Sequence, residues 1–524
     1  MLNFSELKLV KVRDYKDNFV GIRKCASGNS FEFCLPNGFD NFPDGDFNEV
    51  KDLFFKMYRT FRKFECDNTL TKRFKINEPK YQREQDQTTL SAGGISMQTQ
   101  EGEPCMLYSK LRMIERVLEA YDDLAINSIQ KKIRRSEDID YSQIHKYLER
   151  AIYLEKDVIY IEAMDLPRPT VRYESTDLVN LYCYILDEIV QQLDGDVPEN
   201  IQVRIQDIRF LSQHFQDDYL NSNQSIFDKD TFIETSNILK EALDNIDKNT
   251  YYKDTDYWQL YEAIETFLYG EINPELNDGE YWGIQSFSLI WEDMCNTYFF
   301  KENYSICFAD TDIPIKDYQN PAREGEEQKR VGNYPRQVDR QKENKYGNKW
   351  IYRTLSNISY PQKEGSFFGW NQLLCIEFNP RPGTLVYSNP NSKYNDVYKR
   401  DRSTKEVLRR FPCPDLVLKN DSENEIELRI VDYKDVPIDF YYKNFKLPLD
   451  KADNKYRNDI IKQLTYELAL QQTHKVSINI FFIPYYYKNF GSLGEVESDL
   501  NIKGIKVFKA NFMFIQEIYL NEKL

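Results

Sequence analysis

The chain has 524 residues, 41% of them hydrophobic, and its 69 basic and 85 acidic side chains give a formal net charge of −16. That length exceeds one ordinary core and predicts two or three domains. The acidic balance argues against general coating of nucleic acid while leaving room for local basic patches. No run approaches the ~18 consecutive apolar residues of a membrane span, and the first residues lack the basic-then-apolar pattern of a secretory signal. Nine cysteines without a CxxC pair, and only three histidines, argue against a disulfide framework or a structural zinc site; the expected compartment is the reducing cytoplasm.

Residues 1–104 read as a small mixed N-terminal unit with a polar connector. Residues 30–35 alternate like a strand, Pro36-Asn37-Gly38 turns, and residues 47–64 show helical spacing that puts Leu53, Phe54, Met57, Tyr58 and Phe61 on one apolar face. Residues 67–104 are polar, contain Gly93-Gly94, and read as a connector or an insertion.

Residues 105–280 read as mainly helical, with apolar spacing of three and four at 107–125, 141–154, 177–192, 201–219 and 231–246, and one strand at 157–162. Neither a dinucleotide fingerprint nor a GxxxxGK[ST] phosphate loop occurs, so any nucleotide-driven motor must come from a partner.

From about 281 to 524 the pattern becomes mixed, interrupted by a polar insertion near 310–365. Residues 321–350 carry eight basic and five acidic side chains, which fits a surface loop or, alternatively, a loop that grips DNA. A second basic stretch, 379–411, carries eight Lys/Arg against three acids and leads into Pro414; Arg400, Arg402, Arg409 and Arg410 in it are candidates for phosphate contact.

The most informative feature follows. Pro414-Asp415 and Asp432-Tyr433-Lys434 are separated by sixteen intervening residues, each in a short run rich in Val, Ile and Leu, with polar residues 419–424 between them. This is a hairpin pattern that brings two aspartates and a lysine to one end of a sheet. Two carboxylates can hold a hard cation, and an ammonium beside them can orient or activate the attacking water, as a Mg²⁺-dependent phosphodiester hydrolase requires. Around the hairpin, a helix is expected at 286–300 with Trp291-Glu292-Asp293, strands at 373–378 and 384–388, a helix at 455–471, a strand at 476–484 and a β-rich segment at 505–515. Asp435 and Asp459 read as structural or solvated, Glu427 as a strand-edge residue, and Cys413 as packing. His145, His214 and His474 have no metal-ligand spacing.

On these residues and this order of elements the chain resembles the PD-(D/E)xK nuclease superfamily. More narrowly, it is similar to the McrC-like nuclease subunits of LlaJI-type restriction systems. Further phrases carry that narrower resemblance: Phe33-Cys34-Leu35-Pro36-Asn37-Gly38-Phe39 leading to Phe54-Phe55-Lys56-Met57-Tyr58-Arg59-Thr60-Phe61, the segment 157–167, and Ser175-Thr176-Asp177-Leu178-Val179. The resemblance extends over most of the chain. It implies an α/β fold class: a multidomain α+β chain with a C-terminal restriction-endonuclease-like αβββαβ core behind a mixed, largely helical N-terminal region.

What the resemblance implies for the site is specific. Asp415 and Asp432 would bind one or two Mg²⁺ ions, with Mn²⁺ substituting and the Tyr433 carbonyl adding a ligand. Lys434 would position the water, and Glu292 would complete the metal shell. Gln463 and Tyr466 correspond to a Gln-x-x-x-Tyr pair that reaches toward DNA or the lysine, although here they stand three apart, not four. The implied function is DNA cleavage in a restriction or phage-defence system, on double-stranded DNA. The implied partner is a McrB-like AAA+ GTPase or ATPase docked through residues 1–280, and a second copy would be needed to cut both strands. The alternatives are a standalone repair or phage-type exonuclease and a non-cutting scaffold subunit.

Overall fold

The computed structural model describes residues 3–11, 17–25, 31–70, 95–98, 104–130, 133–135, 141–154, 158–161, 170–172, 175–221, 223–250, 253–269, 281–302, 306–309, 332–333, 349–351, 368–369, 376–378, 385–387, 414–421, 426–471, 475–488 and 491–521. The chain is mixed α/β and divides into two compact units. One comprises Met1–Phe4, Phe47–Phe55 and Leu111–Ile272, the other Ser5–Asp46, Lys56–Lys110 and Asn273–Leu524. The units interleave in sequence rather than following the consecutive segments 1–104, 105–280 and 281–524. One helix, α1 (Phe47–Leu70), contributes residues to both units.

The first unit is built from helices: α2 (Arg112–Glu119), α3 (Asp123–Gln130), α4 (Ser175–Gln192), α5 (Glu199–Val203), α6 (Ile205–Tyr219), α7 (Phe232–Asn249) and α8 (Thr255–Tyr269). Helix α4 is apolar nearly all round, as a central helix must be; Leu178, Val179, Leu181, Tyr182, Ile185, Leu186 and Ile189 are each fully buried. The Tyr182 hydroxyl, which burial would otherwise penalise, donates to the Val117 carbonyl at 2.7 Å. The single helix expected over 107–125 is instead a strand ending at Tyr108 followed by α2 and α3. Apolar spacing alone does not mark the break at Ser109-Lys110. Residues 141–154 form a 3-10 helix, Tyr141–Arg150, and a short strand, Ile152–Leu154.

The second unit holds two six-stranded sheets. The first comprises β1 (Lys8–Val10), β2 (Val20–Lys24), β3 (Phe31–Cys34), β4 (Ile95–Gln98), β5 (Pro104–Tyr108) and β6 (Tyr281–Ile284), in the order β1-β3-β2-β6-β5-β4. Strand β4 lies within the stretch expected to be a polar connector, paired with β5. Trp282 of β6 is fully buried against Tyr58 and Phe61 of α1, and its Nε1 donates to the Ser109 carbonyl. The helical stripe of α1 is therefore core, as its spacing suggests.

The second sheet comprises β7 (Ile306–Ala309), β8 (Leu416–Asp421), β9 (Ile426–Tyr433), β10 (Lys475–Tyr485), β11 (Gly494–Ile502) and β12 (Ile505–Asn511), in the order β7-β8-β9-β10-β12-β11. Helix α9 (Ser288–Lys301) precedes β7, α10 (Ile438–Phe445) and α11 (Asn454–Gln471) join β9 to β10, and α12 (Phe512–Asn521) follows β12. Strands β9, β10 and β12 run parallel, while β8 and β11 pair antiparallel. The long connection through α10 and α11 is what a parallel neighbour requires. The edge strand beside β8 is β7, not the segment 373–378; Ile376–Phe378 pairs with Leu385–Tyr387 in a separate two-stranded ladder. The β-rich segment expected at 505–515 stops at Asn511 and continues as α12.

The N-terminal turn supports this second sheet. Asn37 Nδ2 donates to the Asp435 carbonyl (3.2 Å) and to its carboxylate (2.8 Å), and Gly38 O accepts from Tyr486 N at 2.9 Å. Gly38 has φ of +81°, and a Cβ there would collide with the Pro484 carbonyl. Both the dihedral and the contact demand glycine. Gly38→Ala is expected to lower stability by about 1–3 kcal/mol, measured by urea unfolding, and to disturb the segment next to Lys434.

Each unit also buries an acid that binds its proton more tightly than a free carboxyl does. Burial pushes Glu188 up to about 7, with Asp187 adding to the rise against the Ser225 hydroxyl that donates to it. Burial pushes Asp67 up to about 6, opposed by Lys63 and reinforced by Asp293. Because the folded state binds these protons more tightly than the unfolded chain, their contribution is complete below the ordinary carboxyl range. It is lost as pH rises through 6 and then 7. Each unit is expected to be less stable at pH 8 than at pH 5, by on the order of 1–3 kcal/mol. Urea midpoints at the two pH values check this.

Candidate active site

Strand β9 carries the core of the site because of its two-residue period. Leu428, Ile430, Asp432 and Lys434 point to one face, and Arg429, Val431 and Tyr433 to the other. The spacing Asp-x-Lys thus sets a carboxylate and an ammonium side by side, with Lys434 Nζ 2.5 Å from Asp432 Oδ2. The contact is an ion pair, not an aligned hydrogen bond, since among the described residues Asp432 Oδ2 has no hydrogen-bond partner of good geometry. The hairpin register sets Leu416 across from Val431. One residue further, Asp415 reaches β9, where its Oδ2 accepts from the Tyr433 backbone N–H at 2.5 Å. Lys434 N is held in turn by the Phe482 carbonyl at 3.0 Å. The cluster lies at the carboxyl end of β9, one of three neighbouring parallel strands, where open α/β sheets place their ligands.

Helix α9 backs the opposite face. The Tyr433 hydroxyl donates to Asn296 Oδ1 at 3.1 Å, and Trp291 stacks between Phe482 and Phe512 with ring centroids 6.1 and 5.8 Å away. Glu292, half-buried on this helix, lies close enough to Asp415 for its charge to act there. The acidic candidates Asp415, Asp432 and Glu292 therefore form one electrostatic group. Burial, then the Asp432 and Glu292 charges, hold the Asp415 carboxyl well above the ordinary range; Lys434 and the Tyr433 N–H oppose this without overcoming it. Burial works against the Lys434 ammonium, but Asp432, Asp459 and Asp415 outweigh it and hold the group above its ordinary value. At neutral pH the lysine is a cation.

Two residues that sequence reading set aside or missed belong here. Asp459, on α11, is 7% exposed and lies 3.5 Å from Lys434 Nζ, so it is neither solvated nor remote. Tyr441, on the unexpected short helix α10, is fully buried and stacks on Phe481. Its hydroxyl is raised by burial and by the Asp459 charge. The signal for α10 was present in Pro437, whose fixed φ suits the residue before a helix start. Nothing local to Asp459 or Tyr441 announces Lys434.

Gln463 is fully buried. Its Nε2 donates to Asn479 Oδ1 (2.5 Å) and to the Ile480 carbonyl (3.3 Å), tying α11 to β10. Tyr466 is also buried, at 6% exposure. Both side chains thus sit inside the fold in this structure. Arg400, Arg402, Arg409 and Arg410 lie outside the described residues.

Among the described residues, no group of three or more His, Cys, Asp or Glu side chains is assembled closely enough to hold a metal ion. Asp415 and Asp432 supply oxygens of the hard type that Mg²⁺ prefers, and the mutual repulsion in their group is what a divalent cation would relieve. The donor chemistry therefore fits Mg²⁺ or Mn²⁺. Among the described residues no helix is long and apolar enough to cross a membrane. No family model, curated protein or solved structure matches the chain.

Proposed function

We propose that the chain is a metal-dependent deoxyribonuclease of the PD-(D/E)xK type, acting as the cutting subunit of a McrC-like restriction or phage-defence system. The observation that carries this reading is the meeting of Asp415, Asp432 and Lys434 at the carboxyl end of a parallel strand. The order of elements supports it: helix α9, three strands β7 to β9, helices α10 and α11, and strand β10 follow one another as in an αβββαβ core with one helix added. Asp415 and Asp432 would hold Mg²⁺, with the Tyr433 carbonyl and Glu292 at its edge. An ion held there would supply charge stabilisation at the phosphate and lower the pKa of the attacking water.

The chain's own groups do the rest. The ion pair keeps Lys434 charged and directed at the space beside Asp432. A cation there orients the attacking water and meets the negative charge that develops on the phosphate oxygens. The helices around β9 exclude bulk water from Asp432, which is 4% exposed. DNA would be held by the basic stretch that leads into Pro414, and a nucleotide-hydrolysing AAA+ partner would supply the motor that this sequence lacks.

The test is plasmid cleavage in Mg²⁺ by the chain alone and with any AAA+ NTPase encoded beside it plus nucleotide. Cutting that needs both partner and nucleotide supports the proposal in full. Cutting by the chain alone points to a standalone nuclease. Intact plasmid under every condition argues for a non-cutting scaffold.

A further inference from the structure

Lys434 has two carboxylate neighbours, and the site needs only one of them for a metal. Its Nζ lies 2.5 Å from Asp432 Oδ2 and 3.5 Å from Asp459 Oδ1, and 5.8 Å over the Phe481 ring. Among the described residues, Asp459 Oδ2 is buried and accepts no hydrogen bond, and the buried Tyr441 hydroxyl beside this group has no hydrogen-bond partner either. A buried carboxylate left so incompletely satisfied is costly unless a cation serves it. Asp459 is also fixed in place, because Gln463, one helical turn later on α11, is hydrogen-bonded to β10.

A cation bound through Asp432 Oδ2 would meet the lysine already seated on that oxygen. Two positive charges cannot share it without repulsion, so the ammonium must move, and Asp459 is the acceptor within reach. We propose that Asp459 is a positioning residue that takes over Lys434 when a divalent cation occupies Asp432. The lysine then stays charged and beside the site instead of competing with the metal. This inference rests on the metal-dependent reading of Asp415 and Asp432 given above.

The experiment is calorimetric titration of Mn²⁺ into the full chain and its Asp459→Asn, Lys434→Met, double and Asp432→Asn variants, each checked for fold by circular dichroism. Asp459→Asn, which leaves Lys434 only Asp432 to pair with, is expected to weaken Mn²⁺ binding about tenfold or more. In the Lys434→Met background the same change is expected to alter affinity by less than about twofold, since the competitor is gone. An equal loss in both backgrounds would mean a merely structural role and overturn the proposal. So would an Asp459→Asn chain that binds Mn²⁺ as tightly as the native one while Asp432→Asn binds none; the metal reading would then stand. Absence of native binding, or binding indifferent to Asp432→Asn, overturns both. A Mn²⁺-bound crystal structure of the native chain gives an answer that does not depend on any variant folding. Lys434 Nζ is expected closer to Asp459 than to Asp432, and a lysine still seated on Asp432 contradicts the proposal.

Discussion

Asp432→Asn is expected to abolish Mg²⁺-dependent DNA cleavage while leaving the fold intact. The amide keeps the size of the side chain, so the packing of β9 between its helices is preserved. What it loses is the negative charge that would hold the ion and balance the lysine. A metal's contribution of several kcal/mol to the transition state corresponds to a fall of about 10³-fold or more in cleavage rate. The check is single-turnover cleavage at saturating Mg²⁺, with near-ultraviolet circular dichroism to confirm native packing. A variant that cuts within a few-fold of the native rate would remove Asp432 from the chemistry.

The second large effect is on stability. Lys434→Met removes the cation that serves Asp432, Asp459 and Asp415 in the buried corner. Breaking one side of a buried ion pair strands the other, at a cost of about 3–5 kcal/mol. In EDTA, urea is expected to unfold the second compact unit of Lys434→Met well before that of the native chain. Added Mn²⁺ should recover part of the loss, because the ion then neutralises the carboxylates the lysine left. Native-like stability in EDTA would show that the carboxylates are satisfied by something other than Lys434.

The two halves of the site were legible because their chemistry lies in short strands with a fixed period. Asp-x-Lys in an apolar run places both charges on one face whatever the wider topology, and the hairpin brings Pro414-Asp415 to the same end. Glu292 was legible only through the order of elements, and its charge does act on Asp415. Asp459 and Tyr441 were not legible, since their nearness to Lys434 arises from packing α10 and α11 across β9, which no local pattern encodes. The same holds for the Asn37 link to Asp435, made across 398 positions of the sequence. The Pro36-Asn37-Gly38 turn itself was plain from its residue types, but not what it props. Strand β7 was missed because a four-residue run so soon after α9 carries too little periodicity to register.

The measurement that bears most directly on the central claim is the Mg²⁺ dependence of DNA cleavage by the native chain, compared with Asp415→Asn under the same partner and nucleotide conditions. The account predicts no cutting in EDTA, cutting that rises and saturates with Mg²⁺, and a collapse of the rate in Asp415→Asn. Cleavage that persists in EDTA, or an Asp415→Asn chain that cuts at the native rate, would contradict it.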